Sequence, residues 1–304
     1  MSGPAGESGR DAVAAGEPQL VLDARAELGE APTWDVAEQR LIWVDITPGR
    51  VHRFDPSTGR MESFEVGEPV GAAVPAASGR LALATDSGFA LLDPTTGSIE
   101  PVAAVEADRH DTAMNDGKCD RAGRFWAGTR DVEGRRLLGS LYRLDPDHRV
   151  VRVVPEVILS NGLAWTADGR AMYYIDSVTY GIDVFDIDPD VGDVSRRRRL
   201  VDLPREWGLP DGMTIDAEGF LWVAFWGGGT VRRLAPTGEL MSVVGLPVTQ
   251  VTSCAFGGPD LSDLYVTSAR GGLSLADLRD QPSAGGLFLV RPGVRGLPER
   301  SFAG

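Results

Sequence analysis

The chain has 304 residues, of which 42% are hydrophobic and 24% charged, as in a globular protein with a substantial core. Its formal net charge of −14 argues against nucleic-acid binding, because an acidic surface repels phosphate. No stretch approaches the roughly 18 apolar residues that a membrane span needs, so neither nucleic acid nor a membrane is an expected partner.

Residues 1–17 are rich in Gly, Ala, Ser and Glu and contain no apolar segment typical of a secretory signal. We expect them to form a disordered tail ahead of one domain that spans 18–304. The two cysteines, Cys119 and Cys254, form no Cys-x-x-Cys pair and indicate no disulfide framework. This composition fits a reducing compartment, and a cytoplasmic location is expected.

A weak repeat runs along the chain, in which a turn with Asp or Gly precedes a strand of aromatic and branched residues. The equivalent strand positions are Trp43, Leu83, Trp126, Tyr174, Trp222 and Tyr265. They lie 40 to 48 residues apart, about the length of four short strands with their turns. The repeat therefore predicts a single-domain, all-β protein, a six-bladed β-propeller with four-stranded antiparallel blades. The near-constant period favours this fold over an array of two-sheet β-sandwiches.

The two ends of the chain offer a way to close the propeller. A strand-like run at residues 19–22 precedes the first unit, and another at residues 286–290 follows the sixth. Pairing one terminus into the other's blade would hide a sheet edge that otherwise invites aggregation. We therefore predict that these two runs share the sixth blade.

Four polar residues lie 11 to 13 positions before the repeated strand residue of their own units. They are Glu30, Asn115, Asn161 and Asp211. Because one phase of the repeat means one height in a propeller, these side chains should converge at one end of the central channel. Singly, Asn-Gly and Asp-Gly pairs are common turn formers, but four in phase favour a site.

Carboxylate and amide oxygens suit one divalent cation, Ca²⁺, Mg²⁺ or Mn²⁺, while Zn²⁺ is less favoured without His or Cys. The three histidines, His52, His110 and His148, lie outside this phase. A histidine-based zinc site or a Ser-His-Asp triad therefore has little support.

For other residues near this phase of the repeat, the sequence predicts a role less specifically. Cys254 lacks a histidine partner in phase, so a small buried side chain is favoured over a nucleophile. Trp207 and Trp226 could form walls or a lid near Asp211, and core packing stays open for Trp226. Asp45 and Asp176, which end strands, are predicted to link parts of a blade rather than bind metal.

Several long motifs, in order, carry a resemblance that spans the chain from Leu28 to its C-terminus. They are LGEAPTWD at Leu28, MNDGKCDRAGRFWAGT at Met114, SNGLAWTADGRAMYYIDS at Ser160, LPDGMTIDAEGFLWVAFWGGG at Leu209 and VTSCAFGGPDLSDLYVTSAR at Val251. With these motifs the chain resembles the senescence marker protein / gluconolactonase / regucalcin family, in its regucalcin-like branch. The resemblance implies a six-bladed propeller with one catalytic divalent metal.

By motif position, the resemblance implies that Glu30, Asn161 and Asp211 bind the metal. It implies that Asn115 contacts substrate or a metal-bound water and that Glu133 contacts sugar hydroxyls. One position departs from the pattern, which has Arg two residues before the Asn of the Asn-Asp-Gly motif. This chain has Ala113 there, and Arg109 and Arg130 stay open as substitutes.

The implied reaction is divalent-metal-dependent hydrolysis of a sugar lactone, such as D-glucono-1,5-lactone, to the aldonic acid. In this hypothesis the metal activates a water and Asp211 acts as general base. We expect a monomer or weak dimer. The alternatives are a calcium-binding regulatory protein and a metal-dependent esterase or organophosphate hydrolase. A WD-type interaction propeller is disfavoured, because Trp34-Asp35 lacks the Gly-His partner of that repeat.

Overall fold

The structure, a computed structural model, describes residues 16–304, and within this range 24 β-strands form six four-stranded antiparallel sheets. The first strand, β1 (Gln19–Leu22), belongs to the sixth blade. The strands of the first three blades are β2 (Gly29–Asp35), β3 (Arg40–Asp45), β4 (Arg50–Asp55), β5 (Arg60–Glu65), β6 (Val70–Pro75), β7 (Leu81–Thr85), β8 (Gly88–Leu92), β9 (Ile99–Ala104), β10 (Thr112–Cys119), β11 (Phe125–Asp131), β12 (Gly139–Leu144) and β13 (Val150–Val157). Residues 1–15 of the predicted tail lie outside the described residues.

The remaining strands build the other three blades. They are β14 (Ser160–Trp165), β15 (Ala171–Asp176), β16 (Gly181–Ile187), β17 (Val194–Asp202), β18 (Leu209–Ile215), β19 (Leu221–Trp226), β20 (Thr230–Leu234), β21 (Leu240–Gly245), β22 (Val251–Gly257), β23 (Asp263–Ser268) and β24 (Leu287–Val290). Helical segments in the described range are the turns Ser177–Thr179 and Arg205–Trp207 and one helix, α1 (Leu275–Asp280). No helix of residues 16–304 is long and apolar enough to cross a membrane. The six-bladed propeller predicted from the repeat is confirmed.

The sixth blade is closed by the two ends of the chain. Strand β1 pairs antiparallel with β24, with Leu20 opposite Phe288, so the N-terminal strand becomes the outermost strand of a sheet ordered β22-β23-β24-β1. This confirms the predicted pairing of the terminal runs. Because the chain runs from β1 directly into the first blade, the pairing of β1 with β24 ties the first blade to the last.

The repeated aromatic and apolar positions lie on the second strand of every blade and are at most 2% exposed. An aspartate at the end of the innermost strand fixes two of them. Asp120 accepts a hydrogen bond from the Trp126 indole at 2.9 Å, and Asp216 accepts one from Trp222 at 3.0 Å. The same aspartates also accept main-chain N–H groups of the following turn. In these two blades the repeat therefore encodes both a buried indole ring and the turn that precedes its strand.

The segment after β24 crosses the end of the channel at which the innermost strands finish. Gly296 forms a β-bridge with Asp216 of the fifth blade, and Phe302 forms one with Ala76 of the second. Phe302 is fully buried, and Glu299 makes a salt bridge to Lys118 of β10 inside the channel. The C-terminal segment therefore closes this end, and the opposite end forms the mouth.

Candidate active site

The mouth of the channel contains a cleft of about 200 Å³. The cleft is lined by all four polar residues that the repeat phase singles out, by Arg130, and by the apolar side chains of Leu28, Leu159, Leu209 and Trp226. A larger depression of about 420 Å³ lies near the other end of the first two blades, among turn residues such as Glu38 and Arg80. The predicted convergence at one height is thus observed, with Trp226 as a wall of the cleft.

Each of these four polar residues lies at an irregularity in its innermost strand. The pairing register shifts between Glu30 and Thr33, between Met114 and Gly117, between Asn161 and Leu163, and between Pro210 and Met213. An extra residue of this kind bends a strand and redirects its side chains. The bulges therefore turn polar groups toward the axis from strands that are otherwise buried.

The glycines that follow the polar residues serve close packing around the axis rather than turns. A Cβ on Gly162 would lie 2.8 Å from the carbonyl oxygen of Asp211, and one on Gly212 would collide with Ser253 Oγ. Both glycines lie inside strands, β14 and β18. The turn-former reading of these Asn-Gly and Asp-Gly pairs is therefore wrong.

The carboxyl groups of Glu30 and Asp211 are buried and lie close enough to interact with each other. Burial and, next, the Asp116 carboxylate raise the pKa of Glu30 above its ordinary range. Burial and, next, the charge of Glu30 raise the pKa of Asp211 in the same direction. Such a pair needs a proton or a cation between its oxygens, because two buried like charges repel each other.

The two amides are held in fixed orientations. Asn115 Nδ2 donates to the carbonyl oxygen of Ser160 at 2.7 Å and to Asn161 Oδ1 at 3.0 Å. Asn161 Nδ2 donates to Ser177 Oγ at 2.9 Å. Asn115 Oδ1 accepts no hydrogen bond from the described residues, which leaves this oxygen available to a ligand in the cleft.

This donor set fits a hard divalent cation. Two carboxylates and an amide oxygen supply the ligand types that Ca²⁺ and Mg²⁺ prefer, and the two formal charges cancel that of the ion. Among residues 16–304 no group of three or more His, Cys, Asp and Glu side chains is placed to hold a metal. A cation held by Glu30 and Asp211 would therefore take a third protein ligand from an amide oxygen, and the assignment of Asn161 to this role stays a prediction.

Two aspartates at strand ends link parts of their blades, as predicted. Asp45 in the first blade accepts the main-chain N–H groups of Glu27 and Leu28, and Asp176 in the fourth blade accepts those of Ile158 and Leu159. Burial raises the pKa of the Cys254 thiol to about 12, which opposes a nucleophilic role.

Glu133 lies in the loop between β11 and β12, where it is exposed and outside the residues that line the cleft. Its contact with substrate stays a prediction. Asp116, which the sequence presented only as part of an Asn-Asp-Gly motif, is instead a third buried carboxylate near the pair. Its position directly after the bulged Asn115 is the signal that could have revealed it.

The fold and site define a class, the six-bladed propellers with carboxylate and amide side chains at the channel mouth. A family model described as "SMP-30/Gluconolactonase/LRE-like region" matches residues 28–270, and the chain belongs to this family. Regucalcin of Gallus gallus is 44% identical over 293 residues, which cover 94% of this chain and 98% of that protein.

Two solved structures agree with this assignment. A luciferin-regenerating enzyme superimposes with a TM-score of 0.88 at 33% identity and covers 95% of this chain and 99% of its own. A regucalcin from Agrobacterium tumefaciens, described as a calcium-binding protein, superimposes with a TM-score of 0.91 at 27% identity, covering 95% and 98%. The relatives thus share the whole propeller.

Proposed function

We propose that this protein hydrolyses a sugar lactone, an aldonolactone such as D-glucono-1,5-lactone, with one divalent cation held by Glu30, Asn161 and Asp211. The observation that carries the proposal is the buried Glu30–Asp211 pair, which faces a cleft large enough for a sugar ring. Membership of the SMP-30/gluconolactonase family supports the same reaction class.

The chemistry required is modest. A lactone is a cyclic ester, and its hydrolysis needs a polarised carbonyl and a deprotonated water. A bound divalent cation supplies Lewis acidity for both. Asp211 takes the proton of the attacking water, and that proton passes to the ring oxygen as the C–O bond breaks, which gives the hydroxy acid. Asn115 Oδ1, held by the two hydrogen bonds of its Nδ2, orients the water or the substrate.

The apolar wall of the cleft serves the same reaction. Leu28, Leu159 and Leu209 lie two residues before Glu30, Asn161 and Asp211, at or just before the start of the innermost strands, and all three line the cleft. Side chains two apart lie on one side of a strand. The three leucines therefore limit access of bulk water to the carboxylates, which strengthens electrostatic interactions inside the cleft.

A second candidate is calcium binding without turnover, favoured by the description of the Agrobacterium tumefaciens regucalcin as a calcium-binding protein. A metal-dependent esterase or organophosphate hydrolase would use the same residues on another ester. The cytoplasmic location and the monomer or weak dimer also stay predictions.

The deciding experiment is lactone hydrolysis by metal-stripped protein, followed by proton release. Gluconolactone, xylonolactone, galactonolactone and arabinolactone are each tested with Ca²⁺, Mg²⁺, Mn²⁺ or Zn²⁺ restored, beside a phosphotriester and a simple aryl ester. The proposal expects turnover of at least one lactone that depends on the added metal and exceeds turnover of the other esters. Calorimetric metal binding with no lactone turnover would support calcium binding alone and reject the proposal.

A further inference from the structure

Arg130 is the basic side chain that lines the cleft, and it takes no part in the proposed hydrolysis by Glu30, Asn161, Asp211 and Asn115. It lies in β11, largely removed from solvent, and burial lowers the pKa of its guanidinium. The side chain makes one hydrogen bond, from Nη1 to the carbonyl oxygen of Val132 at 3.2 Å, and no salt bridge with any described residue. An arginine carries five N–H donors, so most of them are available to a ligand.

The main chain of Arg130 is fixed on both sides. Arg130 is paired directly with Ala113 of β10 and forms an isolated bridge with Leu159 at the start of the fourth blade. Directly opposed residues in antiparallel strands present their side chains to the same face. The guanidinium is thus positioned by a rigid strand rather than by a loop, which favours precise contact with a ligand.

The third blade differs from three others at the position that Arg130 faces. The first, fourth and fifth blades each place a leucine that lines the cleft two residues before their polar residue, whereas the third blade has Ala113 two residues before Asn115. Ala113 is not among the residues that line the cleft, and its cross-strand neighbour Arg130 lines the cleft instead.

Arg109, the other arginine near this strand, is already engaged. Its Nε donates to Asp111 Oδ1 at 3.0 Å and its Nη1 to the carbonyl oxygen of Leu138 at 3.2 Å. Arg109 is also absent from the residues that line the cleft. The structure therefore distinguishes two arginines that the sequence left equivalent.

We propose that Arg130 hydrogen-bonds the hydroxyl groups of the lactone substrate in the cleft, so that it selects polyhydroxylated lactones over unsubstituted ones. This inference rests on the proposed lactonase function and deepens it. A fork of donors in a cleft otherwise lined by carboxylates, amides and leucines is the group best suited to bind several hydroxyls at once.

The test compares two lactones of equal ring size, D-glucono-1,5-lactone and δ-valerolactone, which lacks the hydroxyls. For Arg130→Met, which keeps the aliphatic stem, the ratio of kcat/KM for the first to the second should fall about 10- to 100-fold, the loss of charge-assisted hydrogen bonds. Arg130→Lys, which keeps the charge without the fork, should give an intermediate ratio. Arg109→Met is the matched control and should leave the ratio within about twofold.

A rescue separates specific contact from general support of the fold. The double variant Ala113→Arg with Arg130→Met moves the guanidinium to the facing strand position and should restore part of the ratio. Unfolding temperatures are measured first, so that only folded variants are compared. Equal losses on both lactones in Arg130→Met, or no loss on either, would overturn the inference.

Binding provides a readout that does not depend on turnover. Gluconolactam, which keeps the hydroxyls but resists hydrolysis, and δ-valerolactam are titrated into metal-loaded protein by calorimetry. If wild-type protein hydrolyses none of the four sugar lactones named above, the lactonase proposal fails by itself. The inference then stands if gluconolactam binds wild-type protein at least about 10-fold more tightly than Arg130→Met, and it falls if the two bind alike or neither binds.

Discussion

The two ends of the central channel hold buried charge in opposite ways. At the mouth, Glu30 and Asp211 face each other, and neither makes a salt bridge with a described basic side chain. At the closed end, Lys118 Nζ lies 3.2 Å from Glu299 Oε1 and donates to the carbonyl oxygen of Met213 at 3.1 Å. The closed end holds a carboxylate paired with an ammonium group, whereas the carboxyl pair at the mouth needs a proton or a cation from outside the pair.

This difference favours the mouth as the functional end of the channel, without reference to any relative. Buried like charges oppose folding, and proteins keep such arrangements where function requires them. A buried pair with complementary hydrogen bonds serves instead to hold the C-terminal segment against the channel. Asp116 lies between the two ends. It raises the pKa of Glu30, and burial raises the pKa of Asp116 itself to about 6, although the charge of Lys118 opposes this shift.

The sharpest way to break the comparison is to remove a charge from the mouth. Asp211→Asn should reduce lactone turnover about 10³-fold or more, because it removes the proposed general base and a charged metal ligand together. The metal-free variant should remain folded, since the substitution relieves repulsion with Glu30. Steady-state kinetics measures the loss, and calorimetric metal titration separates a weakened ligand from a lost base.

Asn115→Ala is the comparison for that experiment and should cost only about 10-fold in turnover, because this side chain orients a ligand without carrying charge. Near-normal turnover by Asp211→Asn would contradict the proposed mechanism. A collapse of the metal-free variant in thermal unfolding would contradict the view that the mouth is a strained site.

The closed end should respond in stability rather than activity. Lys118→Met leaves Glu299 and Asp116 buried without their cation, and it should lower the free energy of unfolding by about 3–5 kcal/mol. The double variant Lys118→Met with Glu299→Met should recover much of that loss. Urea unfolding of the four proteins gives the coupling energy, and additivity within about 0.5 kcal/mol would show that the pair does not stabilise the fold.

The repeat predicted the propeller, its six blades and the height of Glu30, Asn115, Asn161 and Asp211, because all of these follow from periodicity along the chain. The terminal closure was predicted from the strand-like runs at the two ends. A constant phase carries a residue to the same place in every blade. The bulges that redirect these side chains left no separate signal, since a register shift depends on pairing between strands.

What the sequence could not predict arises from contacts between blades and between facing strands. Arg130 reaches the cleft because it opposes Ala113 and borders Leu159, a relation that linear spacing does not reveal. The Lys118–Glu299 pair joins residues from the middle and the end of the chain. Glu133 was assigned by motif position, and its loop places it outside the cleft.

The finest test makes one chemical change at both ends, Glu30→Gln at the mouth and Glu299→Gln at the closed end. In metal-free protein at neutral pH, Glu30→Gln should raise the free energy of unfolding by about 1–2 kcal/mol, since it removes a repelled carboxylate, and Glu299→Gln should lower it by a similar amount. Saturating Ca²⁺ should reverse the sign at Glu30, where a ligand is lost.

The pH dependence of stability is an independent test of the raised pKa of Glu30 at the mouth. Because the folded pKa of Glu30 is raised above its ordinary value of 4.5, the folded state binds this proton more tightly than the unfolded chain does. Stability of the metal-free wild-type protein should therefore fall as pH rises above about 4.5, and the advantage of Glu30→Gln should grow with pH. Unfolding measured between pH 5 and pH 9 decides the matter, because a constant difference would mean that Glu30 carries no raised pKa and that the mouth is no more strained than the closed end.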